Sequence, residues 1–334
     1  MRENKINGKK QPDINHLVKG VLANDRKILA KCITLIESNS EAHRKKAEKV
    51  LEKLLPYSGN SVRVGITGIP GSGKSTLIES LGLYLIKLGY KVAVLTVDPS
   101  SSVSKGSILG DKTRMEKLSR KTNCFIRPSP SGGNLGGVTL KTRETIIACE
   151  AAGYDIILIE TVGVGQSEIT VRSMVDFFLL VMIAGTGDEL QGIKKGIVEI
   201  ADALVFNKAD GNNIPKVKLS QKEFTIALHY LESYTKGWQT KVLIASALKG
   251  EGIKEIWQMI KEFVKVTKKS GVFNKQRKNQ ALQWMYDLIN ENLKNNFYNN
   301  PIIKKEIKTV ESKIKNGKML PTLAAEILFE KYLK

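Results

Sequence analysis

Cysteine is nearly missing from this chain of 334 residues. Cys32, Cys124 and Cys149 are odd in number and far apart, which argues against a disulfide framework and for a reducing cytosol. Histidine is as scarce. His16, His43 and His229 have no second His or Cys at metal-ligand spacing, so a site of the Cys/His type is not expected and each is read as a surface or packed residue. Long apolar runs are absent too. The longest, Phe177–Ala184, has the length of a buried strand and falls well short of the roughly 18–20 residues that cross a bilayer. The first residues, Met1-Arg2-Glu3-Asn4-Lys5, carry charge of both signs and no apolar core, unlike a signal peptide. A cytoplasmic protein that does not engage membranes is expected. There is no internal repeat and no low-complexity segment.

Negative charge is also short. Lys and Arg total 53 against 33 Asp and Glu, a net charge of +20. Such an excess can serve nucleic acid or an anionic membrane. Here lysines far outnumber arginines and are spread over the whole chain, with no Arg-rich stripe and no RNA-binding module. Solvated lysines on helix faces account for the charge, and no nucleic-acid partner is expected. The charge should still speed encounter with an acidic partner.

What the chain does contain is a phosphate-binding pattern. Val62–Thr67 reads as a short apolar strand, followed by G-x-x-x-x-G-K-S from Gly68 to Ser75, then a helix with an apolar stripe through Leu77, Leu81, Leu85 and Leu88. Gly68, Gly71 and Gly73, with Pro70 and Ser72 between them, let backbone N–H groups turn inward where a Cβ would clash with a phosphate. The helix that opens with Lys74, Ser75 and Thr76 adds its positive dipole end. The Lys74 ammonium is placed for the β/γ-phosphates and the Ser75 hydroxyl for Mg²⁺.

A second pattern selects the base. The apolar stretch Ala203–Phe206 ends in N-K-x-D, with Asn207, Lys208 and Asp210. A carboxylate there can accept from guanine N1–H and the 2-amino group. Adenine offers neither, and a site built on such pairing rejects the wrong ligand by ~10⁴-fold or more. The Lys208 stem can lie along the base, and Asn207 can tie this loop to the phosphate loop. Ser246-Ala247-Leu248 after the strand Lys241–Ala245 matches a third base-contacting element, which means little without the other two.

Further strand signals at Lys91–Val97, Cys124–Arg127, Asp155–Ile159, Phe177–Ile183 and Val242–Ala245 alternate with helices. The expected fold class is α/β, a P-loop NTPase whose mostly parallel sheet is covered by helices on both faces, with N-terminal and C-terminal helical extensions. The division is 1–60, a helical arm; 61–265, the nucleotide-binding domain; and 266–334, a C-terminal helical arm. In the last, Gly271 and a basic run through Lys278 read as a linker before a helix Gln280–Leu293 with Leu282, Met285, Tyr286 and Ile289 on one side. These helices look too few to bury a core of their own.

Carboxylates at strand ends beside a phosphate loop are where Mg²⁺ and its waters need acceptors. Asp98, Asp111 and Glu160 are the candidates for metal and for catalysis alongside Lys74. Asp98 could equally cap before Pro99, and Asp111 could be a helix N-cap. Gly163 sits where a backbone N–H could sense a γ-phosphate, and Gly187–Gly196 has the glycine content of a loop that moves. Arg114 and Arg143 are possible arginine fingers.

The segments ITGIPGSGKSTLIE, VDPSS, GSILGDKTRM, FIRPSPSGGNLGGV, ETVGVGQSE, GDELQGIKKGI, NKADG and SAL, in this order, resemble the MeaB/MMAA/ArgK family of G-proteins, which belong to the SIMIBI class of P-loop GTPases. The resemblance implies GTP and GDP with Mg²⁺ as ligands, and a slow GTPase stimulated by its partner. It implies that partner to be an adenosylcobalamin-dependent acyl-CoA mutase, typically methylmalonyl-CoA mutase, which the protein loads, protects or reactivates. By the same resemblance Ser75, Asp98, Asp111 and Glu160 serve the metal, Asp210 serves guanine, Gly187–Gly196 is a third switch, and the C-terminal helices form a homodimer. Metal-insertion and protein-targeting GTPases stay open as alternatives, as does an amino-acid-transport kinase using ATP. The lack of a Cys/His cluster, the lack of a Met-rich domain and the N-K-x-D motif speak against each in turn.

Overall fold

The computed structural model describes residues 13–97, 115–128, 135–161, 167–185 and 195–333. Seven strands form one sheet in the order β3-β2-β4-β1-β5-β6-β7. They are β1 (Val62–Gly68), β2 (Val92–Val97), β3 (Cys124–Arg127), β4 (Ile156–Thr161), β5 (Phe177–Ile183), β6 (Ala203–Asn207) and β7 (Lys241–Ile244). Every pairing is parallel. Such a sheet must be covered on both faces, and side chains alternate accordingly. Ala93, Leu95, Ile157, Ile159, Phe178, Leu180, Leu204 and Phe206 belong to one core. Val92, Val94, Ile156, Leu158, Phe177, Leu179, Ala203 and Val205 belong to the other.

The first core is closed by α1 (Ile14–Leu22), α2 (Arg26–Glu37) and α3 (Glu41–Leu54), which pack with α6 (Leu135–Ala151). The N-terminal helices therefore share the core of the sheet. The second core is closed by α4 (Lys74–Lys87) and α10 (Ile253–Lys269). Short helices α5 (Glu116–Ser119), α7 (Ser167–Arg172) and α8 (Lys195–Ile200), together with α9 (Ile214–His229), complete the crossovers. The three thiols are free and buried, and burial pushes Cys32 and Cys124 up to about 12, so they stay protonated at neutral pH.

Two compact units result, the first ending at Arg277 and the second running from Lys278 to Lys334. The stretch expected to be a linker is helical. After a turn at Gly271, whose φ of 75° suits glycine, α11 spans Val272–Asn299 without a break. Its basic run is tied down: the Arg277 guanidinium pairs with both carboxylate oxygens of Asp176 at 2.7 Å. The second unit also departs from expectation. Its helices α12 (Pro301–Lys315) and α13 (Pro321–Leu333) bury a small core of Ile303, Val310, Ala324 and Leu328. Phe297 stacks near Phe329 and Tyr332, at 4.9 and 5.2 Å between ring centroids.

Candidate nucleotide site

Parallel strands point their carboxyl ends one way, and the site forms there. The loop between β1 and α4 is shaped by glycine. Gly68 has φ 151°, and a Cβ on it would stand 2.1 Å from the Val181 carbonyl oxygen. Gly73, in the left-handed region at φ 84°, caps α4, and a Cβ there would meet the Asn207 amide nitrogen at 2.5 Å. Pro70 and Gly71 are exposed on the open side of the loop, whereas Ser72 is fully buried and Thr76 half-buried on the first turn of α4.

Lys74 is buried, and its ammonium donates to the carbonyl oxygens of Gly68 at 2.8 Å and Ile69 at 3.0 Å. The cation thus lies across its own loop, where incoming phosphate oxygens would find it. The Ser75 hydroxyl donates to Glu160 Oε1 at 2.8 Å. Glu160 was expected on the loop after Asp155–Ile159, but β4 continues through Thr161 because Thr96 and Val97 of β2 still pair with Glu160 and Thr161. The carboxylate therefore projects from a strand end, which fixes it against α4. A hydroxyl and a carboxylate side by side are hard oxygen donors suited to Mg²⁺. Ser75 and Glu160 would hold such an ion, which would supply positive charge against the phosphates.

The base side is joined to the phosphate side through Asn207. Its Nδ2 donates to the Ser72 carbonyl at 2.9 Å, and its Oδ1 accepts from the Ala247 N–H at 3.0 Å. One amide thus connects all three motifs. Lys208 is exposed and adopts φ 60°, a left-handed conformation costly for a residue with a long side chain, and its carbonyl is held by Asn213 Nδ2 at 2.9 Å. Asp210 accepts from the buried Ser246 hydroxyl, which holds the carboxylate in place at the end of the N-K-x-D loop. Ala247 is buried, and Leu248 stands out in solvent.

Asp98, Asp111, Gly163 and Arg114 lie outside the described residues, as does 187–194 of the glycine-rich segment. Arg143 is buried inside the fold, where its Nη2 donates to Ser173 Oγ at 2.7 Å, so it does not present a finger to solvent. Sequence reasoning missed two supports. Thr161 Oγ1 donates to Thr67 Oγ1 at 2.8 Å, joining the ends of β4 and β1 beneath the Ser75–Glu160 contact. Ser80 Oγ donates to the Ala247 carbonyl at 2.6 Å, holding the third base element to α4. The threonines flank Gly68 and Glu160 in sequence and were legible as strand-end polar residues; nothing marks Ser80.

The family described as "Methylmalonyl Co-A mutase-associated GTPase MeaB" matches residues 29–302. The chain is 44% identical to GTPase ArgK of Escherichia coli, across 92% of each. It is 44% identical to the mitochondrial methylmalonic aciduria type A homolog of Mus musculus, across 98% of this chain and 81% of that protein. A solved structure titled as an LAO/AO transport system kinase superposes with a TM-score of 0.78 at 36% identity, covering 96% of this chain and 98% of that one. A glycine-rich phosphate-type loop tied to an N-K-x-D loop by one asparagine, on a wholly parallel sheet, accords with these sequence matches: the chain is a GTPase of the MeaB family.

Proposed function

We propose that this GTPase uses GTP binding and hydrolysis to gate cofactor loading of an adenosylcobalamin-dependent acyl-CoA mutase, of the methylmalonyl-CoA type, and to protect or reactivate it. The observation that carries the reading is the family match over residues 29–302, whose description names the mutase. The mouse relative's name points the same way. The transport-kinase title of the solved relative fits less well, because Asp210 and Asn207 form a loop suited to guanine.

In this reading Lys74 leaves the Gly68 and Ile69 carbonyls for phosphate oxygens, and Ser75 and Glu160 hold Mg²⁺ together with Asp98 and Asp111. Gly163 and the segment Gly187–Gly196 respond to the γ-phosphate. Hydrolysis by the protein alone is slow, since positioning of water and charge is nearly the whole of phosphoryl-transfer catalysis and one missing element costs ~10³–10⁵ in rate. The mutase supplies the missing order. The protein works as a homodimer in the cytoplasm. Leu282, Met285, Tyr286, Ile289 and Leu293 on α11 are exposed in the single chain and form the apolar stripe that a second copy would cover. Among the described residues no helix is long and apolar enough to cross a membrane.

The test is GTP turnover measured alone and with a cognate mutase. Slow turnover that rises at least tenfold on adding the mutase is expected. Fast turnover unchanged by the mutase would overturn the coupling.

A further inference from the structure

Helix α9 follows the guanine-reading loop directly and packs one side on the sheet through Val217, Ser220, Phe224 and Leu228. The opposite side of a solvated helix is ordinarily polar. Here Leu219 is 59% exposed, Ile226 62% and Tyr230 82%. With Lys222 between them these residues are spaced by three, four and four, so they form one line along the outward side. The turn that follows adds exposed Leu231 and Tyr234. Lys218 and Lys222 are exposed beside or within the line, with Glu223 the nearest acid on the helix.

We infer that this side of α9 is a docking seam for an amphipathic helix on an acidic protein partner. The inference rests on the proposed function in taking that partner to be the mutase. Three features fix the kind of occupant. The seam is one residue wide, as in helix-against-helix packing with spacing three and four. Lys222 stands in its middle and would be desolvated on docking, which demands a facing carboxylate. A second copy packed seam to seam would set Lys218 and Lys222 against their own counterparts with only Glu223 nearby on the helix, and so is disfavoured on this side. An interfacial membrane helix needs a broad apolar face, and the sheet already covers the broad face of α9.

The experiment measures binding of the full-length protein, loaded with GDP or a non-hydrolysable GTP analogue, to the cognate mutase by interferometry. Variants are Leu219→Glu, Ile226→Glu, Lys222→Glu and Lys222→Arg. GDP affinity and circular dichroism report that each variant is folded. Ile226→Glu and Leu219→Glu should each weaken binding by about tenfold or more, the effect of losing a central apolar anchor. Lys222→Glu should weaken it comparably and reduce its salt dependence, while Lys222→Arg keeps both. Wild-type binding matched by all four variants overturns the seam and leaves the partner standing. No binding by the wild type overturns the partner and the seam together. Wild-type binding to phosphatidylserine vesicles that Ile226→Glu abolishes makes the stripe a membrane face. A change in oligomeric mass on Ile226→Glu makes it a self-interface. Either result overturns the proposal.

Discussion

A single hydroxyl holds the Asp210 carboxylate, the group proposed to read the base. Ser246 is fully buried and donates to Asp210, and its own N–H donates to the Glu251 carbonyl at 3.0 Å, so the hydroxyl is anchored on both sides. Replacing the carboxylate by an amide keeps this contact and changes what the base must offer. Asp210→Asn should therefore weaken GDP binding by ~10³-fold or more and gain affinity for xanthosine diphosphate, whose 2-oxo group accepts from an amide N–H. Competition with a fluorescent nucleotide measures it. Unchanged preference for guanine would show that the carboxylate does not read the base.

At the scale of elements, α11 is fastened to the sheet by its first turns. Arg277 pairs with Asp176 just before β5, donates to the Ser61 carbonyl at 2.6 Å and lies over the Phe273 ring at 4.6 Å. Asp176 also accepts from the Arg63 N–H at 2.8 Å. Arg277→Ala leaves a carboxylate with only 1% of its side chain exposed without its cation, at a cost of about 3–5 kcal/mol. Arg277→Lys should recover little, because a point charge cannot reproduce two parallel bonds. Urea unfolding of the two variants checks this, and a loss below about 1 kcal/mol would mean that α11 is held otherwise. The basic run looked like a linker because sequence shows charge and not its partner, which here stands 101 positions away. Strands were readable for the opposite reason. Burial on both faces leaves runs such as Phe177–Ile183 continuously apolar, and no distant residue is needed to see it. The glycine loop after β1 and the N-K-x-D loop after β6 were legible as strand-end loops because each motif is contiguous. The extension of β4 through Glu160 and the small core between α12 and α13 depend on pairings across the chain, which local patterns do not carry.

For the whole molecule, the exposed apolar stripe on α11 is the surface through which self-association is proposed. Met285→Glu with Ile289→Glu should turn a dimer into a monomer of 37.0 kDa by sedimentation while GDP affinity holds, since both residues are remote in sequence from the nucleotide loops. A wild-type monomer at micromolar concentration would remove the dimer from the account. The asparagine clasp has a different consequence. In the proposed binding mode guanine and pyrophosphate are two weak ligands joined by a ribose, and the loops assigned to them come from chain segments more than a hundred residues apart. Asn207 ties those loops together. In that mode the second half of the nucleotide binds at the high effective concentration of an intramolecular event. Affinity for the intact nucleotide is then a chelate property: guanosine and pyrophosphate offered together but unjoined are poor substitutes for GDP, and a partner that shifts either loop by a fraction of an ångström loosens the whole ligand at once.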